Sequence, residues 1–346
     1  MQSTSSTATL LAGDIGGTKT LLSLYGVGAE RPELLVQERF PSAEWSDLAP
    51  MLDHFLATAV AGHHPSPQAT CLAVAGPVQG GRARLTNLPW QLDERVLAEG
   101  GKLGQVELVN DFAVLIYGLP LLAPEQLATV CPGEAQPGEP LLVLGAGTGL
   151  GVALGVPTAN GLQAIASEGA HGEFAARSAE EWDLREWLRQ DLGLERLSIE
   201  RVVSGTGLGH VGRWLLARRD PDGRHPLAPL AARWRRGDDP AADLPAALAA
   251  AAASDELARD ALDLWLGAYG SVVGDLALAC LSRGGIWLAG GTAAKLLGEL
   301  RSTRFREAVL AKGRLQPALA PIPIQAIIDP AVGSFSAACR ARMLLG

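Results

Sequence analysis

Cysteine is scarce: the 346-residue chain has four (Cys71, Cys131, Cys280 and Cys339), with no C-x-x-C pair and no Cys/His metal spacing. That excludes the common zinc modules and a disulfide framework. A basic excess is missing too, since 29 Lys+Arg stand against 37 Asp+Glu for a formal net charge of −8. Such a balance argues against a nucleic-acid surface and against docking on anionic lipid. Charged residues make up only 19% while hydrophobic ones reach 48%, which excludes a mostly disordered chain. No apolar run is long enough to span a bilayer comfortably. The least polar stretch, Leu141 to Pro157, is short and broken by five glycines. The opening MQSTSSTATLLAGD has neither the basic start nor the apolar core of a secretory signal. The expectation is a soluble cytoplasmic protein that binds neither nucleic acid nor membrane.

What is present is an alternation of strands and helices. At roughly 150 residues per domain the length suggests two domains. Thr9–Leu11 begins a strand that runs into Gly13-Asp14-Ile15-Gly16-Gly17-Thr18, and Leu21–Tyr25 returns as a second strand. Apolar spacing predicts a helix between Ala43 and Ala61, and Cys71–Ala75 a buried strand ended by Gly76-Pro77. Val106–Val109 is a strand leading to Asn110-Asp111 and then a helix through Leu122. Ala123–Pro140, rich in Pro, Gly and Glu, reads as a connection. A second strand–turn–strand unit follows, Leu141–Leu144, Gly145–Gly149 and Leu150–Leu154, and echoes the first as a weak internal repeat. Glu180 to Ala279 reads as helical, interrupted by an Arg/Asp/Pro-rich loop at Arg218–Asp243. Ile286–Ala289 is a strand entering Gly290-Gly291, Lys295–Leu300 a helix, Pro323–Ile328 a last strand and Ala331–Leu345 a closing helix. The fold class is α/β with a mixed sheet in each half.

The glycine turns fail two familiar patterns. From Gly13 to Lys19-Thr20 the chain nearly fits a P-loop, yet Thr18 stands where its last glycine belongs and a strand follows instead of a helix. The one G-x-G-x-x-G, Gly207 to Gly212, has no strong strand before it and no acidic residue at the right distance after it. What remains is a pair of glycine-plus-threonine hairpin turns. Such turns present backbone N–H groups and hydroxyls that can grip phosphate oxygens from two sides, or they simply make tight hairpins. Asp14 would offer a hard oxygen toward a phosphate-bound Mg²⁺.

Other candidates carry a plainer alternative as well. Asn110 or Asp111 could be an ordinary helix cap at a strand–helix junction. Glu168 and His171, three apart, would share a helix face, fit for a metal, a sugar or merely solvent. Glu200, in Ser198-Ile-Glu-Arg, could be a capping glutamate. Asn87, in Leu85–Trp90, could belong to a simple turn beside a buried Trp.

Taken in order, Gly13–Thr18, Val109–Phe112, Gly145–Gly149, Glu168–His171, Glu200–Gly205 and Leu288–Gly291 resemble the bacterial glucokinase family, nearest its cyanobacterial-type branch. That family belongs to the actin/hexokinase/Hsp70-like ATPase superfamily. The resemblance covers the chain from Leu11 to the last helix. It is not to the repressor/kinase branch, whose cysteine-rich zinc motif is absent here.

The resemblance implies a two-domain actin-like ATPase (ribonuclease H-like) fold with an interdomain cleft. Residues 1–111 plus 330–346 would form the small domain and 112–329 the large one. It implies an ATP:D-glucose 6-phosphotransferase using Mg²⁺, with Asp111 as the base for the 6-hydroxyl. Asn110, Asp111, Glu168, His171, Glu200 and Asn87 would surround the hexose. Gly13, Asp14, Ile15, Gly16, Gly17, Thr18, Gly147 and Thr148 would hold the phosphates, and Gly290 and Gly291 the adenosine. A homodimer is also implied. Two departures are visible: Ala170 replaces a glycine common in the family, and Glu173 stands where Asp is common. Alternatives are a kinase for another hexose or N-acetylhexosamine, and a catalytically silent sugar sensor. Sensors of that kind usually carry a helix-turn-helix before the first strand, where this chain has about ten polar residues.

Overall fold

The computed structural model describes residues 8–62, 64–85, 88–159 and 161–346. Contacts divide the chain into two compact units, one of Met1–Gln126, Ala153–Ala166 and Asp329–Gly346, the other of Leu127–Val152 and Ser167–Ile328.

The first unit opens with strands β1 (Thr9–Ile15), β2 (Lys19–Gly26), β3 (Glu33–Pro41) and β4 (Ala69–Val74). Three short strands follow, β5 (Val78–Gln79), β6 (Arg82–Arg84) and β7 (Gln91–Asp93), and pair into a small antiparallel sheet. Strand β8 (Gln105–Asn110) completes a five-stranded sheet of order β3-β2-β1-β4-β8. Its β1–β2–β3 part is an antiparallel meander, whereas β1–β4 and β4–β8 are parallel. Every residue of β4 is buried, as expected of a central parallel strand covered on both faces. Helix Leu48–Ala61 joins Leu48, Met51, Leu52 and Phe55 to Leu11, Leu22, Leu24 and Leu72 in one apolar cluster. The closing helix, Val332–Met343, packs on β1 and β4 through Phe335 and the small residues Ala337, Ala338 and Ala341.

Two segments assort differently from the sequence-based division at residue 111. The helix expected through Leu122 is a single turn, Leu115–Gly118, followed by a 3₁₀ turn at Leu119–Leu121 that contains Pro120. It lies against the closing helix so closely that a Cβ on Gly118 would stand 2.2 Å from Ser336 Oγ. Arg340 stacks 4.8 Å from the centre of the Tyr117 ring and pairs with Glu107 at 2.6 and 3.0 Å. Those contacts gather 112–126 into the first unit. Residues 153–166 follow because the Ala164 N–H donates to Tyr117 Oη (3.4 Å) and Met343 Cε packs beside Gly161.

The other sheet contains β9 (Leu127–Cys131), β10 (Leu141–Ala146), β11 (Leu150–Thr158), β12 (Gly161–Ser167), β13 (Gly285–Ala289) and β14 (Ile324–Ile327), in the order β12-β11-β10-β13-β14-β9. Strands β10, β13 and β14 run parallel, and β9 closes the edge antiparallel to β14. Thus part of the stretch expected to be a connection, Ala123–Pro140, is an edge strand. The longer helices are Ala179–Leu192, Gly205–Arg219, Ala228–Arg236, Leu244–Ala251, Glu256–Cys280 and Thr303–Leu310, and the helix expected at Lys295–Leu300 is two short ones, Gly291–Lys295 and Leu297–Leu300. One of them, Ala228–Arg236, occupies the segment expected to be a loop. Glu256–Cys280 is long and apolar enough to cross a membrane by length and composition, yet most of it is buried inside the second unit.

The G-x-G-x-x-G match lies inside helix Gly205–Arg219, and its glycines serve packing. A Cβ on Gly207 would meet the Val202 carbonyl at 2.1 Å, on Gly209 the Trp234 ring at 2.7 Å, and on Gly212 the Leu248 side chain at 2.3 Å.

Candidate active site

In the first unit the ladder continues further than the sequence suggested. Gly13, Asp14 and Ile15 are still strand, with Asp14 opposite Leu21 on one side and Ala73 on the other. The expected turn therefore shrinks to Gly16, Gly17 and Thr18. Gly13 is a packing glycine, because a Cβ there would lie 2.6 Å from Leu72. The turn is held from behind by Ser42, whose Oγ donates to the Gly16 carbonyl (2.8 Å) and whose N–H donates to the Thr18 carbonyl (3.0 Å). Thr18 is exposed at the tip.

Asp14, one residue before the end of β1, is half-buried, with Gly333 of the closing helix beside it; a Cβ at Gly333 would stand 3.1 Å from Asp14 Oδ2. Burial pushes its carboxyl pKa up, while Arg39 pulls it down. Asp111 follows the end of β8, its N–H donating to the Val74 carbonyl (3.0 Å). Asn110 closes the turn that precedes helix Leu115–Gly118: its Oδ1 accepts from the N–H groups of Phe112 (3.1 Å) and Ala113 (3.0 Å). Its amide donates to the Gly76 carbonyl (3.1 Å) and to Asp111 Oδ1 (3.0 Å). Asn110 thus holds the turn and the Asp111 carboxylate together. Burial first, and the charge of Asp14 second, raise the Asp111 pKa to about 6.

In the second unit the β10–β11 turn is clamped by the start of helix Gly205–Arg219. Gly205 N–H donates to the Gly147 carbonyl (2.7 Å), and Thr206 Oγ1 to the Thr148 carbonyl (2.8 Å). Ser204 caps that helix by accepting from Gly207 N–H (2.9 Å). Glu200 Oε2 accepts from the Leu150 N–H (2.9 Å), which ties the 3₁₀ turn Ile199–Arg201 to the same hairpin. Gly290 needs a positive φ (+83°) and passes the Ala146 carbonyl so closely that a Cβ would be 3.1 Å from its oxygen. Thr292 Oγ1 donates to that same carbonyl.

Glu168 and His171 sit at either end of the 3₁₀ turn Gly169–His171 rather than on an α-helix. A turn of three residues eclipses positions three apart, and the two exposed side chains meet at 3.5 Å. Ile199 N–H donates to the Gly172 carbonyl (2.9 Å) and Phe174 N–H to Leu197 (2.8 Å), which brings this turn beside the one carrying Glu200. Glu173 pairs with Arg185 (2.9 Å) and Arg196 (3.2 Å), and Arg185 foremost holds its pKa down. Ala170 is buried. Asn87 lies outside the described residues.

A cavity of about 520 Å³ opens beside these turns, wholly within the second unit. Gly147, Thr148, Gly205 and Thr206 line it on one side, and Gly291, Thr292 and Lys295 on another. Gly147 and Gly291 have open space where a Cβ would point and lack a positive φ, so the chain's own packing does not require glycine at either. Thr206 and Thr292 were not singled out from the sequence; the Ser-Gly-Thr-Gly run was a usable signal for Thr206, and nothing comparable marked Thr292. Among the described residues no group of three His, Cys, Asp or Glu is placed to hold a metal ion.

The Glucokinase family model matches residues 11–344. The chain is 40% identical to the glucokinase of Synechocystis sp. over 341 residues, 95% of this chain and 96% of that protein. Its structure is similar to the crystal structure of a glucokinase from an Antarctic psychrotroph (TM-score 0.80, 28% identity, covering 96% of this chain and 98% of the other). It shares its fold with a ROK family glucokinase from Streptomyces griseus solved with glucose and AMPPNP (TM-score 0.60, 19% identity, 97% and 99% covered). With mixed sheets in both units and hairpins at their glycine turns, the fold is the mixed α/β, actin-like ATPase type, and the chain belongs to the glucokinase family.

Proposed function

We propose that this chain is an ATP-dependent glucokinase, moving the γ-phosphoryl of ATP to the 6-hydroxyl of D-glucose. The product is glucose 6-phosphate, the entry compound of glycolysis. The observation that carries the reading is Asp111: a carboxylate held by Asn110, its pKa raised to about 6 chiefly by burial. A base of that strength is ionised at neutral pH yet basic enough to accept a proton as it is lost. The 6-hydroxyl oxygen bonds to the γ-phosphorus, its proton passes to Asp111, and the bond from that phosphorus to the β–γ bridging oxygen breaks to release ADP.

Glu168, His171 and Glu200, on their adjoining turns, offer acceptors and donors suited to neighbouring sugar hydroxyls. Asn110 acts chiefly by orienting Asp111, and any hydroxyl its amide takes replaces one of the two hydrogen bonds it now donates. Backbone groups at Gly16–Thr18 and Gly147–Thr148 suit phosphate oxygens, and Gly290-Gly291 the adenosine. Mg²⁺ neutralises phosphate charge when bound with ATP. The half-buried Asp14 carboxylate is a hard oxygen donor of the kind that holds it through water. The same reading makes the protein cytoplasmic and a homodimer, the latter tested by light scattering.

The deciding experiment is ADP release from ATP·Mg²⁺ over a panel of hexoses, run beside Asp111→Asn. Turnover with glucose that disappears in the variant is expected. Sugar binding without ADP release would overturn the enzyme reading, and turnover with another hexose alone would move the pocket's preference to Ala170 and its neighbours.

A further inference from the structure

The cavity has a second end that the glycine turns do not account for. Beyond the polar rim its walls are Leu208, Trp234, Pro245, Ala246, Ala249 and Trp265, an apolar slot with one carboxylate, Asp243, at its edge. A volume of about 520 Å³ suits a nucleotide-sized ligand. An inorganic polyphosphate donor would leave that slot facing water, whereas a flat base would fill it.

Trp234 is fixed before any ligand arrives. Its six-membered ring rests on Gly209, where a Cβ would intrude to 2.7 Å, and its indole meets His210 edge-on with centroids 5.5 Å apart. Trp265, which lines the same cavity, is anchored by its own N–H, donated to the Ser204 carbonyl at 2.9 Å. Asp243 caps helix Leu244–Ala251, with Oδ1 accepting from the Ala246 N–H (3.0 Å). The cap holds the carboxylate in place while its second oxygen has no ion-pair partner among the described residues. A carboxylate repels phosphate, so the charge fits the nucleoside end of the slot and not the end formed by Gly147 and Thr148.

We propose that Trp234 and Asp243 select the phosphoryl donor by its nucleoside: the indole stacks on the base, and the free Asp243 oxygen accepts a hydrogen bond from a nucleoside N–H or O–H. The inference rests on the kinase reading and adds to it the recognition of the donor. The hydrogen bond has two sources, the 6-amino group of adenine or a ribose hydroxyl.

The test is steady-state kinetics with ATP, ITP (6-oxo in place of 6-amino) and 2′-deoxy-ATP on the wild type, Trp234→Ala, Trp234→Phe and Asp243→Ser. Serine keeps the helix cap and deletes the free oxygen. Trp234→Ala is expected to raise the KM for ATP roughly tenfold, with the KM for glucose unchanged and kcat within a few-fold; Trp234→Phe should restore most of the loss. Asp243→Ser is expected to abolish the wild type's preference for ATP over ITP if the amino group is the donor, or over 2′-deoxy-ATP if the ribose is. An unchanged KM for ATP in Trp234→Ala overturns the stacking role. Unchanged preferences in Asp243→Ser, or a wild type with no preference, overturn the carboxylate's role. A wild type inactive on glucose with every donor would instead overturn the kinase reading, and ADP binding by calorimetry on the same variants would still decide the two residues.

Discussion

Replacing Asp111 by Asn should slow catalysis by orders of magnitude and stabilise the protein, and the two effects share one cause. In the folded chain burial and the neighbouring Asp14 raise the Asp111 pKa from 3.8 to about 6. The folded state therefore holds a proton that the unfolded state has released between pH 4 and 6, so stability falls as pH rises through that window. The full shift corresponds to about 3 kcal/mol, and screening at the exposed edge of this half-buried group reduces it to about 1–2 kcal/mol. Asn keeps the shape, still accepts from the Asn110 amide and never ionises. Below pH 4 wild type and variant should denature alike, and above pH 6 the variant should be the more stable by that margin, worth a few degrees in Tm. Turnover should drop by about 10²–10⁴-fold. In the wild type kcat/KM for glucose should fall with unit slope below pH 6, while the variant's residual rate should not. Thermal melts from pH 4 to 8 beside the rate profile read both. A variant less stable than wild type at pH 7, or one that turns over normally, would refute the assignment of a strained, buried base.

Two glycines should behave oppositely when a methyl is added. Gly147→Ala points into open space, so its melt should match wild type within about 0.5 kcal/mol, while the intruding methyl raises the KM for ATP. Gly207→Ala drives a Cβ onto the Val202 carbonyl and should destabilise by about 1–3 kcal/mol in urea titration. Glu200→Ala frees the Leu150 N–H and loosens the second glycine turn, so KM should rise about tenfold for glucose and for ATP alike, measured in one two-substrate matrix. A chelator should stop turnover and added Mg²⁺ restore it, with glucose affinity by calorimetry unaffected throughout.

The strand–turn–strand hairpins were legible because glycine and threonine between two apolar strands leave few other conformations. Asp14 was misassigned to a turn because nothing local marks where β1 stops pairing; its partners Leu21 and Ala73 come from elsewhere in the sequence. Strand β9 was hidden in a Pro/Gly-rich stretch, since an edge strand needs only a partner, here β14, and no strong pattern of its own. The local alternative for Asn110 and Asp111, a helix cap, does not hold: the helix starts only at Leu115, and Asn110 instead closes the turn before it. Trp234 carried no sequence signal at all, lying among arginines in a segment whose charge suggested solvent. The missing side chain of Gly209 and the His210 ring, both on another helix, give that ring its place.

The order in which the chain builds the first unit also bears on its synthesis. The sheet of β1, β4 and β8 is complete by Asn110, yet the helix that covers β1 and β4 on one face begins at Val332. Between them the ribosome must translate roughly two hundred residues, a delay of about 10–40 s at ordinary elongation rates. For that interval one apolar face of a finished sheet is without its cover. Truncations ahead of Val332 should leave an aggregation-prone amino-terminal half, and chaperone engagement should peak late in translation, ending when Phe335 and Ala338 emerge. A chain circularly permuted to place Val332–Met343 ahead of β1 would remove the wait.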